Sequence, residues 1–262
     1  MSVPSTSELY LAYRQAKGAL FFERRGVGLN ELAAYESRLP ENLRRLRSIL
    51  GENGGWFDFM RPGHVWIVPK RLRQTAAAAQ NLVEVGPSQP GDHDGLDVQL
   101  RLSPNPNVAI VEALYIQRFG PALDSILSPN VLGYRLDLRR GQLPATHRRL
   151  FEHWPPKYDQ FRSAPLKAAR LELASSDHPV AILSLDLASY YDTIDPSFLI
   201  AEHFVNQLPL GGPSHRHDAV AAYLSASASL LRLYARFRQQ AARVRALAQT
   251  SRSKGIDRTS RV

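Results

Sequence analysis

Residues 180–195 read VAILSLDLASYYDTID, and the interpretation of the whole chain depends on this run. Residues 180–185 are nearly all apolar, which predicts a strand buried on both faces of a sheet. Asp186 follows directly, and a carboxylate there is costly unless it is paired or binds a metal. Mg²⁺ takes oxygen ligands and often uses few protein carboxylates. The run therefore predicts either a magnesium site at a strand end or an aspartate that caps an ordinary turn.

Asp195 has a simpler explanation than catalysis. A carboxylate followed by Pro196 is typical of a helix start, because the side chain caps the free backbone N–H groups and proline fits the first turn. We expect the helix to continue over residues 198–208 and to end before Pro209.

The front of the chain is predicted to be helical. Residues 8–22 and residues 30–49 carry apolar side chains near helical spacing. Asn30 is the expected N-cap of the second segment, and Glu31 lies in its first turn, where a negative charge is favourable. Pro40 is expected to kink or split that segment.

Strands and a further helix are expected in the middle of the chain. Residues 65–70, VWIVPK, are short, apolar and β-branched, and we expect Pro69 to end this strand. Residues 97–102 alternate as a strand does. Residues 108–127 have a helical pattern in which Pro121 marks a break or a new first turn. The prediction is a helix-rich α+β fold, with helices at the front, then strands and helices mixed, then a central buried strand that ends in an acid.

A long amphipathic helix is predicted over residues 217–249. Seven side chains form its expected apolar stripe: Val220, Tyr223, Leu224, Leu230, Leu231, Tyr234 and Phe237. If no other segment covers this stripe, we expect self-association or poor solubility.

Positive charge is concentrated at the end of the chain. The 262 residues carry a net charge of +9, with an isoelectric point of about 10.0. Residues 213–262 hold ten basic and two acidic side chains, a net charge of +8. Such a stretch suits a polyanion such as nucleic acid, and a solvated helix face is the alternative.

Several protein classes are disfavoured by composition. The chain has no cysteine, which excludes disulfides and thiolate metal sites and fits a reducing cytoplasm. No apolar run is long enough to cross a bilayer, and the first residues do not have the pattern of a signal peptide. We therefore expect a cytoplasmic protein without a membrane partner.

The run at residues 184–195 resembles motif A of reverse transcriptases, in which an aspartate at a strand end is followed, five residues on, by an aromatic residue and a second aspartate. The resemblance implies that Asp186 ligates both catalytic Mg²⁺ ions, assisted by the backbone carbonyl of Leu187. It implies that Tyr191 lies under the sugar of the incoming nucleotide and excludes a 2′-hydroxyl. Asp192 and Asp195 would support the local structure.

Two further segments are similar to the same family. Residues 111–137 resemble the helix between fingers and palm and the "GYR" element of bacterial reverse transcriptases, especially those of phage-defence and abortive-infection groups. Residues 65–73 resemble the fingers hairpin, which implies that Lys70 and Arg73 hold the nucleotide triphosphate. The usual glycine turn followed by an arginine is missing there, so a plain surface turn is the alternative.

The second catalytic motif of the family has no counterpart in this sequence. Reverse transcriptases carry an Asp-Asp pair in a YxDD hairpin, and the chain has no adjacent aspartates and no PQG-like segment before such a hairpin. Two-metal catalysis needs ligands from both motifs. We therefore expect the helix-rich fingers and partial palm of a right-hand polymerase with an incomplete antiparallel palm sheet. We expect the chain to be truncated or split, and inactive without a missing C-terminal half.

The resemblance implies three regions: a helical N-terminal region at 1–60, a fingers-like region at 61–175 and a partial palm at 176–262. The implied partners are an RNA or DNA template-primer, deoxynucleotides, and the missing half or a second copy of the chain. The alternatives are a non-catalytic nucleic-acid-binding protein derived from a polymerase and a subunit with no nucleic-acid role.

The histidines and tryptophans do not suggest further sites. No four-ligand zinc set is evident, so surface or core positions are expected for His147, His153, His215 and His217. The tryptophans are predicted to be core or hinge residues rather than base-stacking platforms: Trp56, Trp66 and Trp154.

Overall fold

The computed structural model describes residues 3–23, 29–51, 60, 63–71, 97–144, 149–176, 178–183 and 194–255. These residues form a helix-rich α+β fold, as the sequence predicted, and the one sheet that they contain has two antiparallel strands. In these ranges, no helix combines the length and the apolar character that crossing a membrane requires.

Seven α-helices, two strands and a 3₁₀ helix make up the described part of the chain. In chain order they are α1 Thr6–Glu23, α2 Leu29–Glu36, α3 Leu39–Gly51, β1 Gly63–Arg71, β2 Asp97–Pro104, α4 Pro106–Ser125, α5 Trp154–Ser175, the 3₁₀ helix Pro196–Ile200, α6 Glu202–Val205 and α7 Arg216–Gly255.

Helix α1 confirms the first helical prediction. Its buried residues Leu9, Ala12, Ala16 and Leu20 recur every three or four positions, and this spacing places them on one face. That face packs mainly against α4. The front of the chain is therefore part of the main hydrophobic core.

The segment predicted at residues 30–49 is split, as expected from its proline. Helix α2 ends at Glu36, and α3 begins at Leu39 with Pro40 in its first turn, where the missing N–H is not needed. Glu31 lies in the first turn of α2 as predicted. The N-cap prediction for Asn30 is wrong, because α2 already begins at Leu29 and Asn30 is its second residue.

Strands β1 and β2 confirm the two strand predictions and pair as an antiparallel hairpin. Pro69 does not end β1, which continues to Arg71. The ladder is instead irregular between Pro69 and Arg71. Proline has no N–H to donate to the ladder. The pairing of β1 with β2 therefore shifts register after Pro69, and the strand continues.

Helix α4 runs without a break through Pro121, so the predicted break is wrong. The residue before a proline normally avoids the helical region because its Cβ meets the proline ring. Here that residue is Gly120, which has no Cβ. Gly120 also allows the close approach of Leu136, whose Cδ1 would lie 2.8 Å from an added Cβ.

Helix α7 confirms the long amphipathic helix and is covered by α4 over part of its length. Tyr223, Leu230 and Phe237 are buried as predicted, whereas Tyr234 is exposed. The ring of Phe119 meets that of Tyr223 edge-on at 5.4 Å. The 3₁₀ helix, β1 and α4 cover part of this stripe, and the expected self-association stays a prediction.

The predicted strand at residues 180–185 is the largest disagreement. Residues 180–183 belong to no strand, and residues 184–185 lie outside the described ranges. Ile182 and Leu183 are 52% and 79% exposed, the opposite of a strand buried on both faces. An apolar run becomes a strand only when a neighbouring strand pairs with it. The described part of the chain has only β1 and β2, which pair with each other.

The helix expected over residues 198–208 is replaced by two shorter pieces. A 3₁₀ helix covers Pro196–Ile200, and α6 covers Glu202–Val205. Ala201 separates them in an extended conformation. The apolar side chains Val205, Leu208 and Leu210 still reach the core, so the burial pattern survives although the helix is interrupted.

Candidate nucleic-acid interface

Most residues implied by the resemblance lie outside the described ranges: Arg73, Asp186, Leu187, Tyr191 and Asp192. Lys70 belongs to β1, at the point where the ladder shifts between Pro69 and Arg71. Its proposed contact with a nucleotide triphosphate stays a prediction, as do the roles of the other five. The division into three regions also stays a prediction.

Among the site residues that the resemblance implies, Asp195 is the one whose side chain the structure describes. It caps the 3₁₀ helix. One carboxylate oxygen accepts a hydrogen bond from the Ser197 backbone N–H at 3.0 Å. The other accepts from the Ser197 hydroxyl at 2.7 Å. These hydrogen bonds hold the pKa of the Asp195 carboxyl below its usual value. Asp195 therefore supports the local structure, as predicted.

The "GYR" segment is held in place by a partly buried ion pair. Arg135 donates from Nε and Nη2 to the two carboxylate oxygens of buried Asp124, at 3.1 and 2.9 Å. The same carboxylate accepts from the Leu136 backbone N–H at 3.0 Å. A bidentate pair of this kind fixes direction as well as distance. It anchors the loop after α4 and sets the position of the neighbouring Tyr134.

Tyr134 projects from this anchored loop. Its φ of +54° is a left-handed conformation that side chains other than glycine seldom adopt, and the residue is 69% exposed. Its ring meets the ring of Phe151 edge-on at 5.5 Å. A short antiparallel bridge between Leu136 and Phe151 brings the two segments together. The loop thus presents an aromatic side chain beside the start of α5.

The start of α5 adds three more aromatic rings. Trp154, Tyr158 and Phe161 are spaced by four and then three residues, which places them on one face of the helix. The centroids of Trp154 and Tyr158 are 6.0 Å apart, and those of Tyr158 and Phe161 are 6.5 Å apart at 25°. All three residues are at least half exposed.

We call these five residues the aromatic face: Tyr134, Phe151, Trp154, Tyr158 and Phe161. They line a cleft of about 1060 Å³ that Gly18 and Ala19 of α1 also line. The cleft is of the size that accepts ligands in proteins. Flat aromatic rings form part of its wall, and the cleft is open to solvent.

Cationic side chains lie among these rings. Arg149 and Lys157 line the same cleft. The guanidinium carbon of Arg162 lies 5.8 Å from the centre of the Tyr158 ring, within the range of a cation–π contact. Lys157 forms an ion pair with Glu152 at 2.6 Å, which offsets one positive charge. Proteins that bind single-stranded nucleic acid use this arrangement of exposed rings and cations. The bases stack on the aromatic rings, and the cationic side chains neutralise the phosphates.

Trp154 corrects an interpretation made from the sequence. It was predicted to be a core or hinge residue, but it is 69% exposed at the first position of α5. The signal that identifies the face is the spacing of Trp154 with Tyr158 and Phe161, together with Lys157, which precedes Tyr158, and Arg162, which follows Phe161. A helical stripe of rings faces the core only if other elements pack on it. Helix α5 has no buried residue, so its stripe faces solvent.

Three of the four histidines singled out from the sequence lie in the described ranges. His153, His215 and His217 are exposed, and His147 lies outside the described ranges. His217 is 3.7 Å from Asp218 on an open part of the surface. Across the described ranges, no three histidine, aspartate or glutamate side chains come together in a way that suits a metal ion.

Comparison with protein-family models, curated proteins and solved structures found no match to this chain. The functional interpretation therefore depends on the residues and on the geometry of the aromatic face.

Proposed function

We propose that the chain binds single-stranded nucleic acid on the aromatic face, as the fingers and partial palm of a reverse transcriptase. The observation that carries the binding proposal is the exposure of Tyr134, Trp154, Tyr158 and Phe161 beside three cationic side chains. The reverse transcriptase part is supported by the resemblance of residues 184–195 to motif A.

Binding on this face follows from general physical chemistry. Every base has an apolar π-surface, so a row of exposed rings accepts successive bases with little regard to sequence. Arg149, Lys157 and Arg162 supply the charge that neutralises phosphates. The Asp124–Arg135 pair holds the loop that carries Tyr134, which reduces the entropy lost when a strand is bound.

Affinity for single strands is expected to fall steeply with salt. If Arg149 and Arg162 each neutralise one phosphate and Lys157 exchanges Glu152 for a third, the slope of log K against log salt concentration should be about −2 for a single strand. Fluorescence anisotropy with a 20-nucleotide single-stranded RNA and the matching DNA, from low to physiological salt, measures this slope. Absence of binding to either strand at low salt would contradict the proposal and would favour an interaction subunit with no nucleic-acid role.

Asp186 carries the catalytic part of the proposal. With Mg²⁺ bound in a complete site, the metal would polarise the phosphoryl group and activate the attacking hydroxyl. This chain's own contributions are the Asp186 carboxylate and, around the nucleotide, Tyr191, Lys70 and Arg73. The sequence has no adjacent aspartates to provide the second set of ligands. We therefore propose that nucleotidyl transfer needs a segment this sequence does not contain.

The chain alone is expected not to extend a primer. An assay with primer, RNA template, Mg²⁺ and deoxynucleotides should show no templated product, because one carboxylate motif cannot hold both metal ions. Templated extension that disappears in Asp186→Ala would show that this expectation is wrong.

The second candidate function is nucleic-acid binding without catalysis. It is favoured by the aromatic face itself, which uses no residue of the motif A run. Strand binding that does not depend on Mg²⁺ and is unchanged in Asp186→Ala would support this candidate over the polymerase. A role in phage defence belongs to the reverse transcriptase proposal and stays a prediction with it. The cytoplasmic location expected from composition also stays a prediction.

A further inference from the structure

Helix α5 makes little contact with the rest of the described chain. None of its 22 residues is buried, and no other described helix or strand packs extensively against it. Pro165 lies in its interior and removes one backbone hydrogen bond. A single helix of this length is marginally stable in water, because helices in proteins gain most of their stability by packing an apolar face. A partner that packs on α5 would therefore stabilise it.

The apolar surface of α5 continues beyond the aromatic face. Leu166 and Leu173 are seven residues apart, so they lie on nearly the same side of the helix, and both are more than half exposed. They fall within an arc of about 140° that also contains Tyr158 and Phe161. Leucine has no ring on which a base can stack. Strand binding at the aromatic face therefore gives these two leucines no role.

A row of five residues runs along the middle of this arc, at spacings of four, three, four and three: Tyr158, Arg162, Pro165, Ala169 and Glu172. We call this row the seam. Its spacing is the one at which two helices pack side by side. Its middle residues, Pro165 and Ala169, are small enough to let two helix axes come close. Its two charged residues have opposite signs and lie five positions on either side of residue 167.

The charges of the seam select a second copy of the same helix as the partner. When two copies of α5 pack antiparallel about a two-fold axis at residue 167, Arg162 of each copy lies in the same layer as Glu172 of the other. In the same arrangement, Pro165 shares a layer with Ala169. A parallel pair would instead place each charge of the seam against the same charge of the other copy, and like charges repel. The seam is therefore complementary to itself when the second helix runs in the opposite direction.

The residues around the seam suit this pairing. Leu166 and Leu173 border the seam on one side and Phe161 borders it on the other, so apolar surface flanks the charged pair. Lys167 is level with the two-fold axis but lies on the opposite side of the helix, so the two copies do not bring their lysines together. One helix pair is a small interface. We therefore expect a dissociation constant on the order of 10 µM rather than a permanent dimer.

We propose that α5 pairs antiparallel with α5 of a second copy of this chain, and that a bound single strand separates the two copies. The pairing rests on the helix itself. The competition rests on the proposed function, because Tyr158 and Arg162 belong both to the seam and to the surface that we assign to the strand. A strand on that surface covers residues that the second copy needs.

Analytical ultracentrifugation of the full chain without nucleic acid tests the pairing. From about 1 to 300 µM, we expect a reversible change from monomer to dimer. Glu172→Arg is expected to weaken the dimer about tenfold or more, because each Arg162 then faces a like charge. Arg162→Glu should do the same. The two substitutions combined reverse the pair, so the dimer should recover to within about threefold of the unmodified chain.

Two leucines of α5 provide matched variants. Leu173→Ala removes apolar surface beside the seam and is expected to weaken the dimer about fivefold. Leu171→Ala removes the same surface from the opposite side of the helix and should leave the dimer unchanged. Both leucines are more than half exposed, so neither substitution should alter the fold, which circular dichroism checks.

Three results would overturn the pairing. The first is a monomer at every concentration, which would leave α5 open for the strand alone. The second is a dimer that Glu172→Arg does not weaken or that the combined reversal does not restore, because the seam is then not the contact. The third is an equal loss from Leu171→Ala and Leu173→Ala, which would indicate general apolar association.

A second measurement separates this inference from the proposed function. A single-stranded RNA of about 10 nucleotides, short enough to hold one chain, should convert the dimer into monomers that carry RNA. RNA bound to an intact dimer would overturn the competition. If no RNA binds, the proposed function and the competition both fail, whereas a dimer measured without nucleic acid stands. The chain with Arg162→Glu and Glu172→Arg combined should form the dimer yet bind RNA more weakly, because the cation beside Tyr158 is lost.

Discussion

Replacing Gly63 with alanine is expected to lower the free energy of unfolding by about 3 kcal/mol or more. Gly63 begins β1 with a φ of +116°, a conformation that side chains rarely adopt. An added Cβ would lie 2.1 Å from the Ser103 carbonyl oxygen and 2.8 Å from the Asn105 backbone nitrogen. These are backbone atoms of the paired strand and of the α4 N-cap, so they cannot move away without opening the base of the hairpin.

The matched control for this substitution is Gly141→Ala. Gly141 also has a positive φ, of +77°, but an added Cβ would meet nothing within 4 Å. We expect it to cost only the backbone strain, about 1 to 2 kcal/mol. Urea denaturation followed by circular dichroism measures both variants. Equal losses would show that the contact with Ser103 does not matter.

Trp154→Ala combined with Tyr158→Ala is expected to weaken single-strand binding about 30-fold or more. Stacking of one base on one aromatic ring is worth about 1 to 3 kcal/mol, and this pair removes two rings. Both side chains are at least half exposed, so the stability of the fold should change little. Fluorescence anisotropy at fixed salt measures the loss, and thermal denaturation checks the fold.

Leu166→Ala combined with Leu171→Ala is the control for the aromatic variant. Both leucines are exposed on α5, so the substitutions remove apolar surface from the same helix without removing a ring. Binding should be retained. If the leucine variant loses as much affinity as the aromatic one, general apolar contact rather than stacking holds the strand.

Local patterns were sufficient for the elements whose geometry is decided within a few residues. The periodic apolar residues of α1 and α7 predicted their helices, because one turn of helix brings such residues to one face whatever the rest of the chain does. The Asp195–Pro196 pair predicted its cap for the same reason, since donor and acceptor are two residues apart. Pro40 predicted the division between α2 and α3.

Patterns failed where a distant neighbour decides the outcome. Pro121 stays within α4 because Gly120 lacks the Cβ that would prevent it and because Leu136 packs over that glycine. Residues 180–183 have the composition of a buried strand, yet a strand also requires a partner for its backbone. The catalytic residues implied by motif A lie outside the described ranges, so they stay predictions.

The sequence by itself determined the helix-rich α+β class, the hairpin strands and the amphipathic helix α7, because each is set by the order of apolar, polar and turn-forming residues along a short stretch. Only the tertiary structure decided which stripes are covered. Most of the α7 stripe is covered because the 3₁₀ helix, α4 and β1 lie against α7, whereas the aromatic stripe at the start of α5 faces solvent. A stripe of rings becomes core or binding surface according to what packs on it, and that depends on residues far away in the chain.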